Sequence, residues 1–585
     1  MGNGSIIGRV LLTQREPAGP FSFWVWTGSG TEGLVARDVE VGSLIVAESG
    51  SASERIIGVV EDIQNRTAIE DHVSAFYGSG YGNPNIDPPV SYPTVSVLKV
   101  RVLYRTPSRV TPPDSAWRVR YADDTDVDLI ALQTPEDLRV PLGLLQIRPD
   151  PARDESWIPF FGNTEYLFGM QAAHMNISGM TGLATKTSFA LFVVLASVAW
   201  ANRNSLPFTA VLFNVKHDDF LGLDQLPGSW KEAEEQLTRW EKRIGGGIVV
   251  GQSRAMWARL RQWVDPLAMS ANIRYFTYRS DLSRHRLINP MIYSYGLSDV
   301  GAPAVLSGVF GDTEAEDSPQ LALLERYMSE VERRNMTPSF NELIQALENP
   351  TSVGGREVTI QGLGGSRWPS ASISPLLRKV NRFIQRAQVV ITADRPQGRP
   401  VNFGQLLHNG INIVQLHGLN DEAQRLVFNA VIKDVADGLQ QARNQRERAR
   451  AQDPNADLGL EERVVVVVDE LNKFAPRSGS SPVKEGIRDV VQRGRDLHLV
   501  LFGAEQFASQ VDPGVYGNPG TEAIGRSRDA ELSEVIYRYL GDLKKQIPLL
   551  PKGKMVVNHA IYPNPVIVSF PPLLHQVTRE LARRE

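Results

Sequence analysis

The stretch Arg463 to Pro476, RVVVVVDELNKFAP, decides the fold. Its five consecutive valines, Val464 to Val468, show no alternation of polar and apolar residues, which predicts a central parallel strand buried on both faces. Asp469 and Glu470 follow directly. Two carboxylates at the end of a buried strand are costly unless they hold something positive, and ligands bind at the carboxyl ends of strands in open α/β sheets. The alternative is a buried strand whose acidic end is solvated.

The composition is that of a soluble globular protein, with 585 residues, 42% of them hydrophobic and 22% charged. A net charge of −4 gives no global basic field, so nucleic acid would have to be contacted by a local patch or by a ring of subunits. The chain has no cysteine, which excludes disulfides, thiolate metal sites and cysteine nucleophiles. We expect a cytoplasmic protein without a membrane segment. The N-terminus lacks a signal-peptide pattern, and the most apolar helical run, Phe189 to Ala201, is shorter than the roughly 20 residues of a membrane span.

Residues 1 to 150 are predicted to be all-β. Short apolar runs recur there between Gly- and Pro-rich turns, a spacing typical of a small barrel or sandwich. The predicted strands are Ser5–Leu12, Phe21–Trp26, Val41–Ala47, Arg55–Val60, Val95–Tyr104 and Val127–Leu132. No cluster of titratable residues marks this region as catalytic, so its predicted role is assembly or substrate guidance.

A candidate phosphate-binding loop precedes the valine strand by almost 300 residues. The sequence SGMTGLATKTS, residues 178 to 188, follows a predicted strand and precedes an apolar helix. This is the context of a P-loop, because backbone N–H groups at the helix N-terminus face the phosphates of ATP. Lys186 would reach the β and γ phosphates, and the Thr187 hydroxyl would bind Mg²⁺. The predicted binding residues are Gly179, Gly182, Thr185, Lys186, Thr187 and Ser188.

The loop departs from the usual pattern in two places. Thr185 stands where a glycine normally precedes the lysine, and Gly179 stands seven positions before Lys186 instead of six. The loop therefore has one extra residue and lacks one glycine. Together with the acidic strand end it still predicts an ATPase, in which Asp469 holds Mg²⁺ and Glu470 polarises the attacking water.

Other polar residues are predicted near this site. The strand Phe208–Val215 is expected beside the loop strand, with His217 and Asp219 after it either near the nucleotide or in a solvated loop. The strand Leu497–Gly503 leads to Gln506, a candidate sensor of the γ-phosphate. A planar, permanently charged guanidinium suits phosphate, and the candidates, acting in cis or across a subunit boundary, are Arg493, Arg495, Arg526 and Arg528.

The segment from residue 228 to about 390 is mostly helical by its apolar periodicity. The sheet is predicted to resume at Val389–Ala393 and Ile411–Leu416, and a long helix begins near Asp421. Its basic end, QARNQRERAR, either meets DNA or is a solvated helix end.

At this point the chain resembles the HerA family of hexameric DNA translocases, within the broader HerA/FtsK group. The resemblance is carried by the N-terminal barrel, by GMTGLATKTS and VVVVVDELNKFAP, and by VVQRGRDLHLVLFGAEQ followed by LLPKGKMVV. Gly494-Arg495 matches the first two positions of a Gly-Arg-Lys helix end of the family, whereas Asp496 departs from the third. His217 and Asp219 lie near the position of its His-Gly-Glu motif and match it imperfectly.

The resemblance implies an α/β protein with a RecA-like P-loop ATPase core and a helical insertion, preceded by an all-β barrel. The predicted segments are a HAS-barrel-like domain at 1–150, the first part of the core at 151–227, the helical insertion at 228–388, and the second part with a C-terminal extension at 389–585. The catalytic residues would be Glu470, Gln506 and Arg495, with Thr187 and Asp469 on the metal.

The resemblance also implies ATP and Mg²⁺ as cofactors, a homo-hexameric ring, and DNA in the pore of that ring. A NurA-type nuclease in DNA end processing, or another effector in antiphage defence, would be the partner. The alternative, favoured by the irregular loop, is a ring-forming scaffold that binds nucleotide and regulates a partner effector without robust translocation. A related protein-secretion ATPase is disfavoured by the barrel and by the lack of a membrane segment.

Overall fold

The fold comes from a computed structural model. It describes residues 6–27, 39–51, 53–67, 85, 94–131, 133–148, 150–169, 173–180, 186–216, 220–244, 248–269, 272–278, 290–311, 318–363, 365–407, 409–453, 459–479, 481–517 and 519–582, with the backbone alone at 124, 127, 131, 493 and 495. The chain forms two compact units. The first comprises Met1–Asn163, Glu234–Gln262 and Tyr537–Pro572, and the second comprises Thr164–Ala233, Trp263–Ile536 and Leu573–Glu585.

A closed antiparallel barrel lies in the first unit, which confirms the predicted barrel. Its strands follow the order β1-β2-β5-β4-β3-β6. Their bounds are Ile6–Leu11 (β1), Ser22–Thr27 (β2), Leu44–Glu48 (β3), Arg55–Thr67 (β4), Thr94–Thr106 (β5) and Arg118–Tyr121 (β6). Apolar side chains such as Val10, Val25 and Val100 fill the interior, because successive side chains of a strand point to opposite faces.

The strand predicted at Val127–Leu132 is wrong, because this segment belongs to helix α1, Asp124–Ala131. Asp123 explains the difference: its Oδ1 accepts hydrogen bonds from the backbone N–H groups of Thr125 and Asp126, which caps the first turn of a helix. The sixth strand of the barrel is instead the short segment β6. Its sequence, RVRY, contains two arginines and therefore has no apolar run that would predict a strand.

The first unit also contains four antiparallel strands in the order β20-β21-β7-β8. They are Arg139–Gln146 (β7), Trp157–Asn163 (β8), Lys554–His559 (β20) and Val566–Ser569 (β21). Helix α4, Trp230–Ile244, leads into this unit, and helix α5, Gln252–Leu260, lies within it.

The second unit is built on parallel strands in the order β12-β11-β16-β10-β17-β18-β9-β19. They are Met175–Ser178 (β9), Phe208–Asn214 (β10), Ile273–Thr277 (β11), Met291–Ile292 (β12), Gly410–Gln415 (β16), Arg463–Asp469 (β17), Leu499–Glu505 (β18) and Thr521–Ile524 (β19). The valine run forms β17 as predicted, with each valine from Val464 to Val468 at 0% exposure.

The strand order corrects the expected neighbour of the loop strand. Strand β9 lies between β18 and β19, whereas β10 lies on the far side of β17. The chain crosses from β9 to β10 through a long helix, so consecutive strands need not be adjacent, and β17 and β18 come between them from later in the sequence. As a result, β18 separates the loop strand from the strand that carries the acids.

The second unit also contains α-helices. They are Thr164–Leu167 (α2), Lys186–Arg203 (α3), Pro266–Met269 (α6), Ala302–Phe310 (α7), Pro319–Arg333 (α8), Phe340–Glu348 (α9), Ser370–Ala387 (α10), Asp421–Gln452 (α11), Leu471–Phe474 (α12), Pro482–Arg493 (α13), Pro513–Tyr516 (α14), Asp529–Leu532 (α15) and Leu574–Ala582 (α16). None of the helices in the described part of the chain is long and apolar enough to cross a membrane.

The segment predicted as helical also contains strands. β11 and β12 extend the parallel sheet, and Thr351–Gly354 (β13), Glu357–Thr359 (β14) and Arg367–Pro369 (β15) form a small antiparallel sheet. The strand predicted at Val389–Ala393 is wrong: its only pairing among the described residues is an isolated bridge between Ile391 and Tyr295. The N–H groups of Val390 and Ile391 instead donate to the carbonyl of Ala387 in the turn that ends α10.

Candidate active site

The site lies where three parallel strands end at one edge of the sheet. β17 brings Asp469 and Glu470, β18 brings Glu505, and β9 leads into the loop. In the register of the sheet, Asp469 is paired with Ala504 and Glu505 with Ser178. Because the carboxyl ends of parallel strands meet at the same edge, residues far apart in sequence converge here.

Lys186, the first residue of α3, lies between the two acids of β17. Its Nζ is 3.1 Å from Asp469 Oδ1 and 3.0 Å from Glu470 Oε1. The side chain is fully buried, with 0% exposure. Burial would lower the pKa of Lys186, but the negative charges of Asp469 and Glu470 outweigh it and the pKa is raised. The lysine is therefore a charged group held by Asp469, the predicted metal ligand, and Glu470, the acid predicted to polarise water.

Glu470 adopts a left-handed backbone conformation, with φ of 61° and ψ of 48°. Such a conformation is unfavourable for a residue with a Cβ atom, and it clusters at functional sites. The Glu470 N–H donates to Asp469 Oδ1 at 3.0 Å, which locks the acids together. Burial would raise the pKa of Glu470, but the charge of Lys186 and the hydrogen bond from Lys216 lower it below its ordinary value. The group predicted to polarise water is therefore held ionised.

The start of the loop is fixed between two strands. The Gly179 N–H donates to the Glu505 carbonyl at 3.2 Å, and the Met180 N–H donates to the Arg526 carbonyl at 2.8 Å. Gly179 has a φ of +144°, and a Cβ atom there would lie 3.1 Å from Gly525 Cα. A glycine is therefore required at this position, both for its conformation and for the close approach of the two backbones.

Glu505 is a member of the site that the sequence analysis missed. Its side chain is fully buried, and neither carboxyl oxygen has a hydrogen-bond partner among the described residues. Burial raises its pKa well above the ordinary value, against the opposing charge of Lys186. An acid ending an otherwise apolar strand, LVLFGAE, was the sequence signal for it. Lys216, the first residue after the strand predicted at Phe208–Val215, was also left without a role, yet its Nζ lies 2.5 Å from Glu470 Oε1.

The remaining predicted residues fall into two groups. Thr187 is half-buried in the first turn of α3, whereas the Ser188 hydroxyl donates to Gln576 Oε1 at 2.9 Å and is not brought to the acids. Gln506 is half-buried directly after β18, and its side chain makes no hydrogen bond within the described part of the chain. Gly182, Thr185, His217 and Asp219 lie outside the described residues, as do the side chains of Arg493 and Arg495.

The two other candidate arginines are exposed. The carbonyl of Arg526 holds the loop at Met180, as described above, so this arginine lies next to the loop. The carbonyl of Arg528 instead accepts from the N–H groups of Glu531 and Leu532 at the start of α15.

The residues fit Mg²⁺ better than a transition metal. No group of three or more His, Asp or Glu side chains that could hold a metal is found in the described residues. Mg²⁺ needs no such cage, because it is usually bound by one or two carboxylates together with substrate phosphates and water. Asp469 and the hydroxyl of Thr187 are hard oxygen ligands of the kind that Mg²⁺ prefers.

No protein-family model matches the chain, and no curated protein matches it. Among solved structures, the bacterial conjugative coupling protein TrwB, in a form lacking its N-terminal 70 residues, has a TM-score of 0.39 and 10% identity over 76% of this chain and 91% of that one. VirB4 of Thermoanaerobacter pseudethanolicus has a TM-score of 0.40 and 12% identity over 74% of this chain and 96% of that one. The genome packaging NTPase B204 from Sulfolobus turreted icosahedral virus 2 has a TM-score of 0.20 and 14% identity over 28% of this chain and 68% of that one. Similarities this weak leave the function to be argued from the site.

Proposed function

We propose that the chain is an ATP-driven DNA translocase or helicase of the HerA type that works as a homo-hexameric ring in the cytoplasm. One observation carries the proposal: a fully buried lysine at the start of the helix after the loop contacts both acids at the end of the central strand. A lysine for phosphates, an acid for a metal and an acid for water are the three side chains that phosphoryl transfer from ATP requires.

Nucleotide binding would draw Lys186 away from the acids. Its ammonium is neutralised by Asp469 and Glu470 in the structure, and the phosphates of ATP offer a stronger negative charge. Asp469 and Thr187 would then hold Mg²⁺, which in such sites neutralises charge that develops on the phosphates. Glu470, kept ionised by Lys216, would orient and polarise the attacking water.

Oligomerisation would complete the site and create the path for DNA. The net charge of −4 gives a monomer no general attraction to DNA, whereas a ring collects the basic groups of six subunits around one pore. Arg495, or else Arg526 or Arg528, would supply a guanidinium to the γ-phosphate, and Gln506 would sense it. A NurA-type nuclease, or another effector in antiphage defence, would act on the translocated DNA.

The decisive experiment measures ATP hydrolysis with and without duplex DNA, beside the native mass of the assembly. We expect a hexamer whose Mg²⁺-dependent ATP hydrolysis is slow alone and rises with DNA. Glu470→Gln is the matched control, because it keeps the shape of the site and removes the group that polarises water. A protein that stays monomeric, or whose hydrolysis equals that of Glu470→Gln under all conditions, would rule out the translocase.

The alternative is a ring-forming scaffold that binds nucleotide and regulates a partner effector. Thr185 favours it, because a β-branched residue before the lysine resists the positive φ that a glycine there allows. Calorimetric titration with Mg²⁺ and a non-hydrolysable ATP analogue shows whether nucleotide binds, and the hydrolysis assay shows whether DNA stimulates turnover. Nucleotide binding without DNA-stimulated hydrolysis supports the scaffold. No binding at millimolar nucleotide rules out the translocase.

A further inference from the structure

Helix α10 carries a polar stripe along its solvent face. The α10 stripe is defined by four exposed residues, Ser374, Arg378, Arg382 and Gln385. They lie four or three positions apart, so they share one face of the helix. The opposite face is buried in the second unit and consists of Ser372, Ile373, Leu376, Val380, Phe383 and Ala387. The stripe is therefore presented by a helix that packing holds rigidly.

The stripe lies in a basic segment of the sequence, in which Arg367 and Arg386 form ion pairs with acids outside the segment. Between residues 358 and 393 the sequence holds five basic and no acidic side chains, in a chain whose net charge is −4. Arg386 forms an ion pair with Glu422, and the Lys379 Nζ lies 4.9 Å from the centre of the Phe310 ring. Arg378 and Arg382 have no ion-pair or hydrogen-bond partner among the described residues. Burial, and then the charge of Arg382, lower the pKa of Lys379.

The chemistry of the stripe fits the phosphate backbone of a nucleic acid. Arginine, serine and glutamine are among the side chains that contact phosphate oxygens, and none of the four stripe residues is acidic or apolar. A protein interface would be expected to present aromatic side chains or Met beside its arginines, and the stripe has neither. From Ser374 to Gln385 the stripe runs about 16 Å at 1.5 Å per residue, a length over which one DNA strand presents several phosphates at about 3.4 Å of axial rise each.

Two of the four arginines at the basic end of α11 are held by neighbouring groups. Arg443 donates to Glu447 Oε1 at 3.1 Å and to the Asp496 carbonyl at 3.0 Å. Arg446 donates to the carbonyls of Gly459 and Leu460. Arg448 and Arg450 of the same end are exposed and have no ion pair or hydrogen bond among the described residues. The contact with DNA that was weighed for this end is tested with these two residues below.

We propose that the α10 stripe is a binding surface for the phosphates of duplex DNA, with Arg378 and Arg382 as its charged contacts. The inference rests on the proposed function and deepens it by naming the surface that holds the substrate. The contact is electrostatic and independent of base sequence, as a protein that moves along DNA requires.

The test compares Arg378→Ala/Arg382→Ala with the control Arg448→Ala/Arg450→Ala, which removes two exposed arginines from the end of α11. Binding of a fluorescent duplex is measured across a salt series, with Mg²⁺ and a non-hydrolysable ATP analogue present. We expect the stripe variant to bind roughly tenfold more weakly per arginine lost. Its slope of log affinity against log salt should fall by about two, since each phosphate contact contributes about 0.9. The control should bind like the parent, and Arg378→Lys/Arg382→Lys should retain most of the salt slope.

Several outcomes would overturn the inference. The first is that the parent and the stripe variant bind duplex DNA equally. The second is that the control loses as much binding as the stripe variant, and the third is that the parent does not bind duplex DNA. The fourth is that polyglutamate competes as strongly as DNA, which would point to an acidic protein partner. Nucleotide binding, measured by calorimetry on the same samples, separates the two proposals. If the parent binds nucleotide and the stripe variant binds DNA as well as the parent does, only the α10 stripe is ruled out as the DNA-binding surface. If the parent binds no nucleotide, the proposed function is ruled out.

Discussion

The Lys216 Nζ lies 2.5 Å from Glu470 Oε1, the same oxygen that accepts a hydrogen bond from Lys186. One carboxylate oxygen is thus shared between two ammonium groups. If Lys186 moves to phosphate as proposed, the charge of Lys216 would remain and would keep Glu470 ionised, which a group that polarises water requires.

Glu470→Gln should bind nucleotide and fail to hydrolyse it. The amide keeps the shape of the side chain but cannot accept a proton from the attacking water, so we expect turnover to fall by roughly 10² to 10⁴. Calorimetry and a phosphate-release assay on the same sample measure the two properties. Hydrolysis at the rate of the parent would show that another group activates the water.

Lys186→Met should lose stability and nucleotide binding together. Removing a fully buried ammonium leaves Asp469 without its partner, which costs about 3 to 5 kcal/mol of the free energy of unfolding. Lys484→Met is a matched control, because the Lys484 Nζ lies 2.9 Å from Asp512, another buried acid that keeps a second cation, Arg488. Denaturant unfolding should show a loss in both variants, whereas calorimetry should show lost nucleotide binding only in Lys186→Met. Equal nucleotide affinity in the two would contradict the role of Lys186.

Glu505→Leu should stabilise the nucleotide-free protein. A buried carboxyl without a hydrogen-bond partner costs about 1 to 3 kcal/mol, and leucine removes that cost. The raised pKa means that the folded protein keeps a proton that the unfolded chain loses above about pH 4.5, so the parent loses stability as pH rises from there and the variant should not.

The same substitution should reduce the rise in Tm that Mg²⁺ and ATP produce in the parent, if the carboxyl is satisfied only by the loaded site. Glu531→Leu is the contrasting control. The carboxyl oxygens of Glu531 accept hydrogen bonds from the Ser509 N–H at 2.9 Å and the Ser509 hydroxyl at 2.6 Å, so its loss should destabilise the protein. A lower Tm for nucleotide-free Glu505→Leu would contradict the expectation.

Three of the four candidate arginines, Arg495, Arg526 and Arg528, should differ in what they change. We expect Arg495→Ala to lose hydrolysis by roughly 10³ to 10⁵ if its guanidinium reaches the γ-phosphate. Arg526→Ala, next to the loop, should weaken nucleotide binding, whereas Arg528→Ala should be nearly silent. Mixed rings of Arg495→Ala and Glu470→Gln subunits test action across a boundary, since recovered hydrolysis requires complementation. Normal hydrolysis by Arg495→Ala would transfer the role to Arg526 or Arg528.

His559 should make the first unit sensitive to acid. It accepts a hydrogen bond at Nε2 from the Asn163 N–H at 2.9 Å, and burial lowers its pKa to about 3. Between its ordinary pKa, about 6.5, and this value the unfolded chain binds a proton that the folded protein does not. Stability therefore falls as pH drops, by about 1.4 kcal/mol per pH unit and about 2 kcal/mol between pH 6.5 and 5.

Denaturant unfolding at a series of pH values measures this slope. His559→Gln keeps a hydrogen-bond acceptor and should flatten it, whereas His498→Gln, at a half-buried position paired with Glu461, is the control. An unchanged slope in His559→Gln would assign the acid sensitivity to other groups.

Patterns confined to one element could be predicted from sequence. The valine run and the short apolar runs of the barrel each depend on local periodicity, and the structure has both. Val389–Ala393 failed because its backbone donors close a helix turn, a competition that side-chain pattern does not reveal.

The site was only partly predictable for a related reason. Asp469 and Glu470 follow a run of valines, and Lys186 follows a glycine-containing loop. Both patterns can be recognised in the sequence, and the structure brings the three residues together. The roles of Lys216 and Glu505 depend on strand order, which sequence adjacency misrepresents because β18 and β17 enter between β9 and β10.

Strand β17 cannot slide. It is paired along its length with β10 on one side and β18 on the other. A shift by one residue would exchange valine for valine in the buried positions, but it would either bring Arg463 into the first of them or draw Asp469 back from the edge of the sheet where it contacts Lys186. In a motor, one part must stay still so that another can exert force. β17 is suited to be that stationary part, so any stroke produced by a hydrolysis cycle would have to be carried by segments outside the central sheet.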